Sequence, residues 1–236
     1  MKLIGRSRAE RAYYWLHATT DYVHFQFDTS RCGQVSRDVL GEHFFGTLVT
    51  DCYAGYEAHQ AKAKQKCLAH LARTARDWQK VVPGDSQAAI FFEDVKAWVK
   101  RGCRFHRERS TLSVDEETNE KAWLRAELAR LMTCPLDHEK AVTLQERIKR
   151  HEREWLVFLD DPRVPPTNNV AERALRPLVI LRKITFGHRS RAGAERMAKI
   201  MTVKETAKRH GRKVTKIFYH LYTRPPNRAL RFLYGG

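Results

Sequence analysis

Two carboxylates in this sequence stand where carboxylates can do chemistry. Asp51 ends the aliphatic run Leu48-Val49-Thr50 and opens the loop Cys52-Tyr53-Ala54-Gly55. A carboxylate at a strand end projects into the crevice where open α/β sheets hold ligands. Hard cations such as Mg²⁺ take oxygen ligands of this kind. The same residue type caps turns, so a structural Asp51 stays open. Glu172 follows Asn168-Asn169 and precedes Arg173 and Arg176. One helical turn separates it from Arg176, so a surface ion pair worth about 0.3–0.5 kcal/mol is the plain alternative to a metal ligand.

Three further groups could act with them. Cys67 and His70 share a helix face at a spacing of three, which is half of a zinc site, but no second half has matching spacing nearby. A pair that supports the fold, or a His70 beside the site, is the expected role. Arg173, Arg176, Arg182, Lys183, Arg189 and Arg191 are dense enough to clamp phosphates. Among them, Phe186-Gly187-His188 can stack on a base or pack inward. For the phenylalanine the inward position is the expected one.

The elements that must position these residues are read from periodicity. Arg11–Thr20 and the alternating Asp21–Asp28 form two adjacent strands turning near Thr19–Asp21, with Val23, Phe25 and Phe27 on one side. Ser36–Phe44 reads as a short helix with Val39, Leu40 and Phe44 on one face. Gly46 opens a third strand, Thr47–Thr50. Tyr56–Val81 reads as mostly helical, with room for a short strand around Lys66–Leu68. From Pro83 to Pro162 only helices are expected. One opens on the capping box Ser113/Glu116 and runs through Trp123, Leu124, Leu128 and Leu131 until Pro135 breaks it. A second carries Leu144, Ile148, Trp155 and Leu159, and the pair can pack as a hairpin. Asn169 can cap a helix that Pro177 kinks or ends. Another helix spans roughly Ala192–His210, with Met197, Ile200, Val203 and Ala207 as its stripe and Gly211 as its stop. Val214–Tyr222 is amphipathic. The fold class is α/β with a helical insertion and a helical C-terminal part.

Composition narrows the partner. The 236 residues carry a net charge of +17, with 42% hydrophobic residues, enough for a globular core. Residues 1–161 hold 26 basic and 24 acidic side chains, whereas residues 162–236 hold 18 and 3. A polyanion, most commonly nucleic acid, is the partner such a basic segment attracts. No long apolar run, secretory leader or lipidation motif is visible, which argues against a membrane partner. Five cysteines without close pairs fit a reducing cytoplasm better than a disulfide scaffold.

Four segments, in one order, carry a family resemblance: LVTDCYAGY (Leu48–Tyr56), CLAHLAR (Cys67–Arg73), NNVAERALRPLVILRK (Asn168–Lys183) and KETA (Lys204–Ala207). Together they resemble the transposase family named for insertion sequence sixty-six, from about Arg11 to Gly211. The resemblance implies a ribonuclease-H-like catalytic core with an Asp-Asp-Glu triad, using Mg²⁺ or Mn²⁺ for DNA strand cleavage and joining. The second Asp falls on Asp51 and the Glu on Glu172, 121 positions apart, with Cys67, His70, Asn168 and Asn169 near the site. It further implies one catalytic domain: a strand-rich half (1–82), a helical insertion (83–162) and a basic part carrying the Glu (163–236). Expected partners are transposon ends and target DNA, together with a second copy or an intact transposase. The family's first Asp lies in a D-E-T-like segment just before the part matching Gly5–Trp15. This sequence has no such segment, so the expectation is an N-terminally truncated member with little activity alone. A non-catalytic DNA-binding remnant, or an unrelated helical nucleic-acid- or partner-binding module, stays open beside that reading.

Overall fold

A computed structural model gives the architecture; it describes residues 2–4, 9–225, 227–228, 231 and 233. Positions 5–8 of the Gly5–Trp15 segment lie outside the described residues. The strands are β1 (Lys2–Ile4), β2 (Ala9–Arg11), β3 (Tyr13–Ala18), β4 (Val23–Asp28), β5 (His43–Thr50) and β6 (Gln60–Lys66). The helices are α1 (Gln34–Leu40), α2 (Leu68–Gln79), α3 (Gln87–Glu108), α4 (Val114–Thr133), α5 (Glu139–Arg150), α6 (Val157–Asp160), α7 (Asn169–Thr185), α8 (Arg191–Arg209) and α9 (Val214–Thr223). The fold is mixed α/β and mostly helical. It divides into two compact units: residues 1–39 with 169–236, and residues 40–168.

The first unit holds two antiparallel hairpins, β1–β2 and β3–β4. Thr19 makes the turn of the second, its Oγ1 accepting from the backbone N–H groups of Asp21 and Tyr22. The alternation of β4 then does what a period of two dictates. Val23, Phe25 and Phe27 go into a core shared with Ala174 and Leu178 of α7 and with Ala194, Ala198 and Met201 of α8. The outer edge of β4 is closed by α8. Thr206 Oγ1 accepts from Val23 N–H at 3.2 Å, and Thr202 Oγ1 accepts from Phe25 N–H at 2.9 Å.

The second unit joins a parallel pair, β5 and β6, to helices α2 to α6. Its core is one apolar cluster that includes Leu68, Phe92, Trp98, Leu124, Leu128, Leu131, Leu144, Ile148, Trp155 and Phe158. Indoles pin the helices: Trp98 Nε1–H donates to Leu124 O at 2.9 Å and Trp155 Nε1–H to Ile148 O at 3.1 Å. Gln65 is fully buried and spends its amide on this join. Its Nε2 donates to Trp155 O, and its Oε1 accepts from Phe158 N–H at 2.9 Å.

Several sequence expectations hold. The β3–β4 hairpin, the Ser113/Glu116 capping box, the end of α4 before Pro135, and Gly211 with φ +63° after α8 are all present. Others need correction. Phe44 belongs to β5, which starts four residues before Thr47, and α1 buries Val35 and Ser36. The stretch after Tyr56 is a seven-residue strand, β6, ending at Lys66, where a helix with only a short strand was expected. Pairing with β5 outweighs the helix-favouring Lys, Gln and Ala of QAKAKQK. The expected helix through Trp155 breaks at His151 into a 3₁₀ turn and the short α6, although Leu144, Ile148, Trp155 and Leu159 are all buried. Pro177 lies inside α7, which continues to Thr185. On α8 the buried line is Ala194, Ala198, Met201 and Glu205 to Ala207, while Ile200 is exposed.

Candidate functional site

The second unit gathers Asp51, Cys67, His70 and Asn168 around the C-terminal end of β5. Cys67 N–H donates to Thr50 O at 2.7 Å, tying the start of α2 to the residue before Asp51. Cys67 is buried, and its Sγ accepts from Asn168 N–H at 3.3 Å. Leu68 N–H donates to Pro166 O at 2.9 Å. The strand end, the helix start and the segment entering α7 are therefore stitched together, and Cys67 is the stitch. It sits at the N-cap of α2, and His70 lies in the first turn. Asp51 is half-buried, and its Oδ1 accepts from Tyr53 N–H at 3.0 Å. That bond is the turn-capping role of an aspartate, and it organises the loop while the carboxylate stays at the strand end. Next to it, burial pushes the Cys52 thiol up to about 11, against the pull of Lys66 and Arg147.

A charge centre that sequence reading missed lies in the same unit. The Lys66 side chain is fully buried at the end of β6. Its Nζ is 2.7 Å from Glu57 Oε1 and 3.3 Å from Glu154 Oε2. Burial opposes the ammonium, but the bond to Glu57 and the nearness of Glu154 outweigh it and hold Lys66 above the ordinary lysine value. The same contact holds Glu57 below the usual carboxylate range, against its own partial burial. His151 completes the group, with ligand atoms of Glu57, His151 and Glu154 within 4.8 Å of one another. Those three could in principle hold a borderline divalent ion, yet the ammonium already bridges both carboxylates and supplies the cation. No spacing rule points to residues 57, 66, 151 and 154 as a set, because only the break at His151 brings the last two to Lys66.

The first unit carries Asn169, Glu172 and the cations. Asn169 starts α7, and Arg173 Nε donates to its carbonyl at 3.3 Å. Glu172 is half-buried in the first turn of α7. Arg173, Arg176, Arg182, Lys183, Arg189 and Arg191 are all exposed. Arg191 also pairs with Glu195 at 2.9 Å. An open depression of about 310 Å³ lies between α7 and α8, lined by Val170, Arg173, Ala174, Glu205, Lys208 and Arg209. Three of its six lining side chains are cations, as a phosphate path requires.

Phe186 is not in the core. It is 76% exposed, and its φ is +58°. A bulky residue in the left-handed region costs on the order of 1–3 kcal/mol. The segment following α7 holds it there. Thr185 Oγ1 donates to Leu181 O at 2.9 Å and to Gly187 O at 3.1 Å. His188 Nε2 meets Tyr14 Oη at 2.8 Å, and Ser190 Oγ caps α8 by accepting from Gly193 N–H at 3.1 Å. The inward expectation fails: His188, two residues on, takes the half-buried place against Tyr14, and the Phe186 ring is left exposed.

Asp51 thus belongs to one unit and Glu172 to the other. Both are carboxylates and half-buried, a donor chemistry that suits a hard divalent cation. Among the described residues, no helix is long and apolar enough to cross a membrane, and the five cysteines form no disulfide.

Comparison with known proteins gives the relationship. Residues 1–196 match the family described as "Transposase IS66 family". An uncharacterised protein of Sinorhizobium fredii (strain NBRC 101917 / NGR234), y4hP, is 30% identical over 209 residues, covering 73% of this chain and 37% of its own length. A second from the same organism, y4qI, is 27% identical over 241 residues, covering 88% of this chain and 42% of its own. A third, y4jD, is 25% identical over 233 residues, covering 88% and 44%. The chain therefore spans less than half the length of these relatives. No solved structure matches. A match running through 196 of 236 residues, past both carboxylates and all six cations, shows that this chain belongs to the IS66 family of transposases.

Proposed function

We propose that the chain is catalytic material of a DNA transposase, a ribonuclease-H-like core in which Asp51 and Glu172 bind divalent metal beside a cationic DNA path. The observation that carries this reading is the exposure of all six cations on and after the Glu172 helix, within a family of DNA-processing enzymes. Mg²⁺ or Mn²⁺, when bound, supplies activation of the attacking oxygen and stabilisation of the leaving one. The protein's own contribution is to hold each carboxylate within its own element. The Tyr53 N–H holds Asp51 in its loop, and Cys67 fixes that loop's strand to Asn168, the residue before α7. Glu172 rides in the first turn of α7, where a helix N-terminus favours a carboxylate. Arg173, Arg176, Arg182 and Lys183 neutralise phosphates along the same helix.

Metal binding is the first test. Mn²⁺ titration followed by electron paramagnetic resonance, on the full chain with duplex DNA, is expected to show a site weakened more than about 10-fold by Asp51→Ala and by Glu172→Ala alike. Glu57→Gln and His151→Ala are expected to leave it in place. Equal Mn²⁺ binding by wild type and both alanine variants overturns the catalytic reading. Mg²⁺-dependent nicking of supercoiled plasmid then ranks the variants. DNA binding without metal binding or nicking favours the alternative, a non-catalytic DNA-binding partner of an intact transposase.

A further inference from the structure

Phe186 combines three properties that seldom coincide. Its backbone is left-handed, its ring is 76% exposed, and its chain neighbours Arg182, Lys183, Arg189 and Arg191 are exposed cations. Phe186 is the described non-glycine residue with a positive φ. Strain of that kind persists where the surroundings over-determine it, and it clusters at functional positions. Here the surroundings are named. Thr185 locks the end of α7 to Leu181 and Gly187, His188 is anchored on Tyr14, and Ser190 starts α8. The ring is thus presented on a pinned turn, at the price of a conformation that a glycine would adopt freely.

We propose that Phe186 is a base-stacking residue: its ring takes the face of an unpaired or unstacked nucleobase of the DNA strand whose phosphates the flanking cations hold. This rests on the DNA-binding half of the proposed function and names the contact within it. An aromatic face recognises any base, because every base has a π-face, whereas cations recognise only the backbone. The charge around the ring selects a nucleic acid over an apolar protein groove. Ile180 and Ile184, also exposed on α7, leave a protein contact as the competing outcome of the test.

The experiment compares the full chain with Phe186→Ala, Phe186→Leu, Phe186→Trp and Phe186→Gly. Binding is measured to a single-stranded oligonucleotide carrying 2-aminopurine and to a matched duplex, over a range of salt. Loss of one stacked base is expected to weaken single-strand binding about 5- to 100-fold in the Ala, Leu and Gly variants. Phe186→Trp should retain it. The salt dependence should not change, because no phosphate contact is removed. The 2-aminopurine emission change on binding should vanish with the ring. Phe186→Gly sharpens the test, since it relieves the backbone: its melting temperature should hold or rise while its single-strand affinity falls. Wild-type affinity in Phe186→Ala overturns the proposal and leaves DNA binding standing. Wild-type affinity in Phe186→Leu also overturns it, and points to an apolar protein contact. Absence of DNA binding by the wild-type chain overturns the DNA-binding reading itself, and the stacking proposal with it.

Discussion

The two units of this chain solve opposite problems. Residues 40–168 hold 21 basic and 20 acidic side chains, nearly balanced, around a dense apolar core. Residues 1–39 and 169–236 hold 23 and 7, and expose Ile180, Ile184, Phe186, Tyr219 and Tyr222. In the first set, charge is spent within the molecule. Arg101 pairs with Glu120, Arg109 with Glu117, Arg130 with Asp94, and Lys66 with Glu57 and Glu154. In the second, basic side chains outnumber acidic ones by 23 to 7, so most of the positive charge is left for something else. One unit is built for cohesion and the other for contact, and a substitution should reveal which it strikes.

The sharpest break is in the cohesive unit. Trp98 is fully buried and its indole donates to Leu124 O. Trp98→Ala is expected to cost about 3–5 kcal/mol. Chemical denaturation should show the loss, while the salt dependence of DNA binding stays as in wild type.

The charge centre comes next. Removing Lys66 leaves two partly exposed carboxylates facing each other without their shared cation. The range for breaking a buried pair is about 3–5 kcal/mol, and the 40% exposure of Glu57 discounts it, so Lys66→Met is expected to cost about 2–3 kcal/mol. The pH window has a defined sign. Lys66 is held above its ordinary value, so its contribution is complete below the unfolded value of about 10.4 and disappears as pH rises through the folded one. Glu57 is held below its ordinary value, so its contribution is complete above about 4.3 and disappears as pH falls through the folded one. A stability profile of wild type minus Lys66→Met should be flat between these limits and shrink outside them. A difference that persisted unchanged at pH 3 would break the assignment.

The smallest effect on stability should come from the contact unit. Arg182→Ala with Lys183→Ala changes exposed side chains, so stability should move within about 0.5 kcal/mol. The slope of log affinity against log salt should nevertheless fall by about 2, roughly 1 for each phosphate contact removed. Loss of stability with an unchanged slope would erase the distinction between the units.

How far the sequence told this story depended on whether a signal was local. The Ser113/Glu116 box, the β3–β4 alternation and Gly211 are each written in a few adjacent positions, and each was legible. The strand β6 was not, because Lys and Gln alternating with Ala fit a helix until β5 lies alongside. The Lys66 centre was illegible for a stronger reason: its partners come from a loop and from a helix break nearly a hundred residues on. At the candidate site, Asp51 at its strand end and the exposed cations could be read directly. Cys67 as the stitch between Thr50 and Asn168 could not, since a spacing of three suggested a shared helix face and not a cap. Phe186 shows the limit of hydrophobicity as a guide, because a ring among cations looked like core and the anchoring of His188 turned it outward.

The threonine pair on α8 has a consequence for how such a molecule survives crowding. A strand margin with spare donors invites a neighbouring chain to zip onto it. Thr202 and Thr206 answer the Val23 and Phe25 amides from inside the same molecule, so that margin offers those donors to no one. For a chain of net charge +17, whose copies would gather along any polyanion, self-sufficiency there keeps close company from becoming aggregation.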